Sequence, residues 1–117
     1  MTEDQFRKMA LSFADTEERA HMGHPDFRVG GRIFATLGGQ KGNGAVSLTP
    51  EQQRTYIQRD PETFVPCQGA WGAAGSTYVR LKSADPEMVG EALTDAWRNR
   101  IQKTAAAKKP KAKKTKA

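Results

Sequence analysis

Between Phe27 and Leu37, apolar and polar positions alternate in two short runs, Phe27-Arg28-Val29 and Arg32-Ile33-Phe34-Ala35-Thr36-Leu37, separated by Gly30-Gly31. Alternation with a period of two around a dipeptide that tolerates positive φ predicts a β-hairpin. A hairpin alone is marginal in water, so more strands or a helix must cover it. With a two-residue turn, Val29 faces Arg32 and Phe27 faces Phe34, and those four share a face. Ile33, Ala35 and Leu37 then lie opposite, with Arg28. A bulge at the glycines would slip this register by one. Both faces carry apolar residues, so one is expected to meet helices and the other to be exposed, covered by a partner, or shielded by side chains.

The flanking segments supply those helices and strands. Thr2 and Gln5 have capping-box spacing, and Phe6, Met9, Ala10 and Phe13 follow on one helical face that fades at Ala14-Asp15-Thr16. A strand is predicted over Arg19–Met22, then a turn at Gly23-His24-Pro25-Asp26. Gly38–Gly44 reads as a flexible connection and Ala45–Leu48 as another strand. Thr49-Pro50-Glu51-Gln52 is the clearest helix start, with Tyr56 and Ile57 inside and a stop near Asp60, before Pro61. Phe64-Val65-Pro66 is too short to classify. Gly69–Gly75 is a glycine-broken loop or helical turn around Trp71. Ser76–Leu81 alternates Thr77, Val79 and Leu81 against Tyr78 and Arg80. A last helix is capped by Asp85, opens at Pro86 and carries Val89, Leu93, Ala96 and Trp97 as its buried stripe. Short connections favour an antiparallel sheet of about five strands with helices packed on one face, an α+β two-layer sandwich.

The chain has 117 residues and 37% hydrophobic content, enough for one domain with one core. Its net charge of +6 is unevenly distributed: residues 1–102 sum to −1, and residues 103–117 carry seven lysines, no acid and no large apolar side chain. The expected organisation is therefore a nearly neutral domain over residues 1–102 and a disordered lysine-rich tail over 103–117. Cys67 is the sole cysteine, which excludes an internal disulfide and a cysteine-cluster metal site. The first ten residues are polar, and no run has the length of a membrane span, so a cytoplasmic location is expected.

Taken together and in order, Phe27–Leu37, the Val46-Ser47-Leu48-Thr49 strand end, Gly69-Ala70-Trp71-Gly72 and the helix around Ala92–Arg98 resemble the MmcQ/YjbR family. That family shows a Phe-x-Val-Gly-Gly-Lys-x-Phe-Ala run, a tryptophan before the last strand, and a closing helix ending in Ser-Tyr. The resemblance covers about residues 1–101, with Arg32 in place of the lysine and Ala96-Trp97 in place of Ser-Tyr. Arginine keeps the charge without being equivalent at a geometric site. The resemblance implies a two-layer sandwich on an antiparallel sheet, and members are commonly described as DNA-binding without an assigned reaction.

Candidate chemistry is sparse. The tail lysines Lys103, Lys108, Lys109, Lys111, Lys113, Lys114 and Lys116 suit non-specific contact with DNA or other nucleic acid. Each engaged lysine adds about 0.9 to the salt slope on duplex DNA. Arg28, Arg32 and Arg80 sit on or beside strands. Arg28 and Arg32 are weaker nucleic-acid candidates, set against a reading as solvated strand charges. Trp71 and Trp97 are expected in the core. For Trp71 the alternative is the wall of a groove, with Arg80 nearby. His21, His24 and Asp26 are ordinary turn chemistry rather than a zinc site, which needs more ligands. Cys67 reads as a half-buried filler. Gly38–Gly44 lacks the Lys-Ser ending of a phosphate loop, and no Ser–His–acid set stands out, so no enzyme, metal or cofactor is expected. The leading expectation is a small nucleic-acid-binding protein. The alternative is a protein-interaction module using an open sheet face or edge, with partner or homodimer unspecified.

Overall fold

The computed structural model describes residues 1–40 and 43–108, with backbone only at Gly39, Gln40 and 103–108. The elements run α1 (Glu3–Leu11), β1 (Thr16–His21), β2 (His24–Val29), β3 (Arg32–Gln40), β4 (Asn43–Ser47), α2 (Pro50–Arg59), β5 (Phe64–Pro66), α3 (Gly69–Ala73), β6 (Ser76–Val79), a 3-10 turn at Leu81–Ser83, and α4 (Pro86–Lys108). The strands form one antiparallel sheet in the order β1-β2-β3-β4-β6-β5. The sheet has six strands rather than about five because Phe64-Val65-Pro66 pairs with β6, a short edge strand where proline is tolerated.

Local signals place the helices. Thr2 and Gln5 form a reciprocal capping box on α1, and Thr49 and Gln52 form another on α2, where Pro50 opens the helix. Both ends bring backbone donors to side-chain acceptors that would otherwise be missing. α1 stops at Leu11, so Phe13 lies beyond it and stacks on Trp97, with ring centroids 5.6 Å apart. Phe6, Phe27, Phe34, Leu37, Val46, Phe64, Val79, Val89 and Leu93 are fully buried between one sheet face and the helices. In β6, Thr77 and Val79 are buried, as the alternation requires, and Leu81 beyond it is buried too.

The central hairpin turns at Gly30 and Gly31, with φ of 61° and 79°, so Val29 pairs with Arg32. The glycines carry no bulge. The register instead shifts between Phe27 and Arg28, so that Arg28 pairs with Ile33 while Phe27 pairs with Ala35 and not with Phe34. Phe34 is the extra residue, and both it and Ala35 are buried. The reason is packing: Phe34 meets Phe13 edge-on, at 6.2 Å and 85°, and a bulge lets Ala35 and Leu37 stay on the core side as well. Arg28, Ile33 and Thr36 are left toward the other face.

Other boundaries differ from the sequence reading. β1 covers Thr16–His21 instead of Arg19–Met22, because it pairs along β2 and needs no apolar content of its own at the sheet edge. β3 continues through Gly38 to Gln40, and β4 resumes at Asn43, where a loop was expected. Trp97 packs against the core and donates Nε1–H to Ala14 O at 3.1 Å. Trp71 does not join the core and is 75% exposed. The boundary expected at Gln102 falls inside α4, and Lys109, Lys111, Lys113, Lys114 and Lys116 lie outside the described residues.

Candidate binding groove on the open sheet face

The sheet face away from α1, α2 and α4 holds a groove of about 1120 Å³. Pairing fixes its floor: Thr36 lies opposite Ala45, Ala45 opposite Tyr78, and Ser47 opposite Ser76. These small and hydroxyl-bearing side chains leave the floor shallow. Trp71, carried by α3 in the β5–β6 connection, lines one side; His21, from the β1 edge, lines another; Asn99 and Arg100 of α4 line an end.

α3 is held close by two devices. A Cβ on Gly72 would fall 1.7 Å from Cys67 O, so only glycine permits this approach. The buried Gln53 side chain of α2 donates Nε2–H to Gly72 O at 3.1 Å, Ser76 O at 3.0 Å and Thr77 Oγ1 at 3.2 Å. The Thr77 hydroxyl donates in turn to Gly75 O at 2.8 Å. The indole of Trp71 is therefore presented by a fixed segment.

At the end of the groove, Arg100 donates Nε–H to Ile33 O at 2.9 Å. Burial first, and then the charge of Arg32, push its guanidinium below the usual arginine range, although it remains a cation at neutral pH. Neither Arg32 nor Arg100 forms an ion pair among the described residues. Sequence reasoning passed over Arg100. The readable sign is that it continues the stripe Val89, Leu93, Ala96 at helical spacing, a charge in line with a buried face.

Arg28, Asp26 and His21 form a second cluster. Arg28 donates Nε–H to Asp26 Oδ1 at 2.8 Å and Nη2–H to Oδ2 at 3.1 Å. A carboxylate only accepts, so His21 presents Nδ1–H to Oδ2, at 2.7 Å, and leaves Nε2 without that contact. Arg28 is thus engaged within the protein, while Arg32 is exposed at the turn end of β3. His21 and Asp26 come together as an orienting pair, with both carboxylate oxygens occupied. Arg80 is exposed and lies outside the groove lining. Cys67 does line the groove, but burial pushes its thiol up to about 11, so it is protonated at neutral pH and a poor nucleophile.

The bidentate bond from Arg28 is the main cause that holds the Asp26 carboxyl below the usual range; burial opposes it and His21 assists. A folded-state value below the unfolded one gives stability that is present above the unfolded value and lost as pH falls through the folded one. Asp26→Asn is expected to cost about 2 kcal/mol at neutral pH, the scale of hydrogen bonds to a charged group. Denaturant titrations of both proteins should show that gap closing as pH drops below the carboxylate range. An undiminished gap in acid would refute the assignment.

The YjbR family model matches residues 11–99, and the chain belongs to that family. The fold is similar to the crystal structure of Deinococcus radiodurans protein DR2400, which carries a DUF419 domain. The TM-score is 0.69 at 20% identity, covering 82% of this chain and 75% of that one. A comparison with curated proteins finds no match. Among the described residues no helix is long and apolar enough to cross a membrane.

Proposed function

We propose that this YjbR-family chain binds nucleic acid non-specifically, through Arg100 at the end of the groove, the exposed Arg32 and the lysine-rich sequence that continues from α4. The observation that carries the reading is the pair of arginines. Arg100 lines the groove, Arg32 is exposed at the turn end of β3, and neither forms an ion pair among the described residues. A phosphate beside either guanidinium supplies the missing counter-charge and is matched by its planar donors. The helix that contributes Arg100 leads directly, in sequence, to the seven lysines after Gln102. Lysines act there as point charges, which favours affinity over sequence reading.

The test is a salt titration of binding to duplex and single-stranded oligonucleotides by the full chain and by a full-length variant with those seven lysines changed to glutamine. Affinity is expected to fall steeply with salt. The logarithmic slope should become shallower by about 0.9 on duplex for each contact removed. No binding at low salt, or a slope unchanged by the substitutions, overturns the proposal.

A second reading has its own support. Met22 and Trp71 are exposed large apolar side chains, at 89% and 75%. A docked protein would cover such residues. Its affinity would depend on Met22 and vary little with salt, the opposite of the salt dependence expected for nucleic acid.

A further inference from the structure

Resting on the nucleic-acid reading, we infer that the groove receives an unpaired strand, with a base stacked on the indole of Trp71 and its backbone phosphate directed to Arg100, beyond which Arg32 is exposed at the end of the sheet. Four observations converge on this. Trp71 is 75% exposed on an α3 segment fixed by Gly72 and Gln53, so its flat face is offered at little ordering cost. The floor beneath is built from Ala45, Ser47, Ser76 and Tyr78, and the three small side chains leave room for a flat ring beside the indole. The volume of about 1120 Å³ is slightly larger than a pocket for one drug-sized ligand, which suits roughly two or three nucleotide units. A duplex keeps its base faces stacked inside and cannot offer them to a side chain without unstacking.

The fourth observation is charge. The end of the groove holds Arg100, with Arg32 exposed at the neighbouring turn end of β3, and neither forms an ion pair among the described residues, while Arg28 is neutralised by Asp26. Positive charge thus meets the strand at one end and an aromatic platform meets its bases. Sites that bind single strands without sequence preference combine these two features. Non-specific binding through lysines alone requires no groove and no exposed indole, so the two contributions are separable.

The experiment uses the full-length chain with a labelled single-stranded oligothymidylate and a duplex of equal length. The single strand is expected to bind more tightly and to quench Trp71 emission, read against Trp97 by repeating the titration with Trp71→Phe. Trp71→Ala should weaken single-strand binding by roughly 5- to 150-fold, the range for one stacked base, and leave duplex binding unchanged. Arg32→Gln should reduce the single-strand salt slope by about 0.7, whereas Arg54→Gln, an exposed charge on the helical side, should leave the groove-dependent preference in place. Trp71 lies outside the core, so these variants should retain the wild-type thermal transition. If single strand and duplex bind alike and Trp71→Ala changes neither, while lysine neutralisation weakens both, the groove inference falls and the nucleic-acid reading stands. If neither form binds at low salt, both fall.

Discussion

Gly72→Ala is expected to cost about 3 kcal/mol and to lower the melting temperature by at least about 10 °C. The added methyl would sit 1.7 Å from Cys67 O, 2.7 Å from Cys67 C and 3.2 Å from Cys67 N. All three are backbone atoms, so no rotamer change can make room. Either α3 lifts off the end of the sheet or the Pro66–Gln68 segment moves, and the latter disrupts Cys67 N–H bonded to Ser76 O at 2.9 Å. The penalty is steric and independent of pH. Calorimetry of wild type and variant decides it; a variant that melts within a degree or two of wild type would show that α3 is not tied down as described. Lifting α3 also displaces Trp71, so its emission should respond along with stability.

Gln53→Glu should be as damaging, for a reason of charge instead of volume. The two hydrogens of the wild-type amide are shared among Gly72 O, Ser76 O and Thr77 Oγ1 in a buried setting. Thr77 spends its own hydrogen on Gly75 O, so it can offer the new carboxylate nothing without giving up that bond. An ionised glutamate would face three oxygens and lose its hydration, a cost of about 3 kcal/mol or more. Repulsion and burial both raise the folded-state value of the introduced acid above its unfolded one. The penalty is therefore full at high pH and shrinks as pH falls through the raised value, when the protonated acid can again donate. Stability curves at neutral and acidic pH test this, and a penalty that stayed constant across that interval would refute the charge argument. Because Gln53 and Gly72 share a hydrogen bond, the double variant should cost less than the sum of the two single changes.

Much of the architecture was readable because its signals are local. Thr2 with Gln5, and Thr49 with Pro50 and Gln52, specify helix starts within four residues of chain. Gly30-Gly31 specifies a turn in the same way. The alternation Thr77, Val79, Leu81 identified the buried face of β6 because a two-residue period leaves one choice of face. The departures all depend on contacts between distant segments. Phe34 becomes the extra residue in β3 because Phe13, twenty-one positions earlier, offers it an edge. β5 is a strand because β6 is there to pair with it. Trp71 is a residue type common in cores, yet it is exposed on the α3 segment that Gly72 and Gln53 hold against distant parts of the chain.

The site was less readable than the fold for the same reason. Arg28 and Arg32 are close in sequence and look equivalent, yet a carboxylate two residues from Arg28 occupies it while Arg32 is left toward Arg100, sixty-eight positions away. Only the stripe along α4 hinted that Arg100 was set apart from an ordinary surface cation. His21 and Asp26 looked like turn residues because the hairpin that brings them side by side is not visible in their spacing.

The extra residue in β3 has a consequence for how this domain can vary. Phe34 works as a phase shifter: upstream of it the odd position Ile33 looks into the groove, and downstream the even position Thr36 does. Losing Phe34 itself would restore a plain two-residue alternation with Ile33 and Thr36 still outward, whereas losing Thr36 would turn Leu37 out of the core. Changes of length that keep the faces are therefore confined to the ends of this strand and to its bulge, while substitutions along its outward positions can retune the groove without touching the interior.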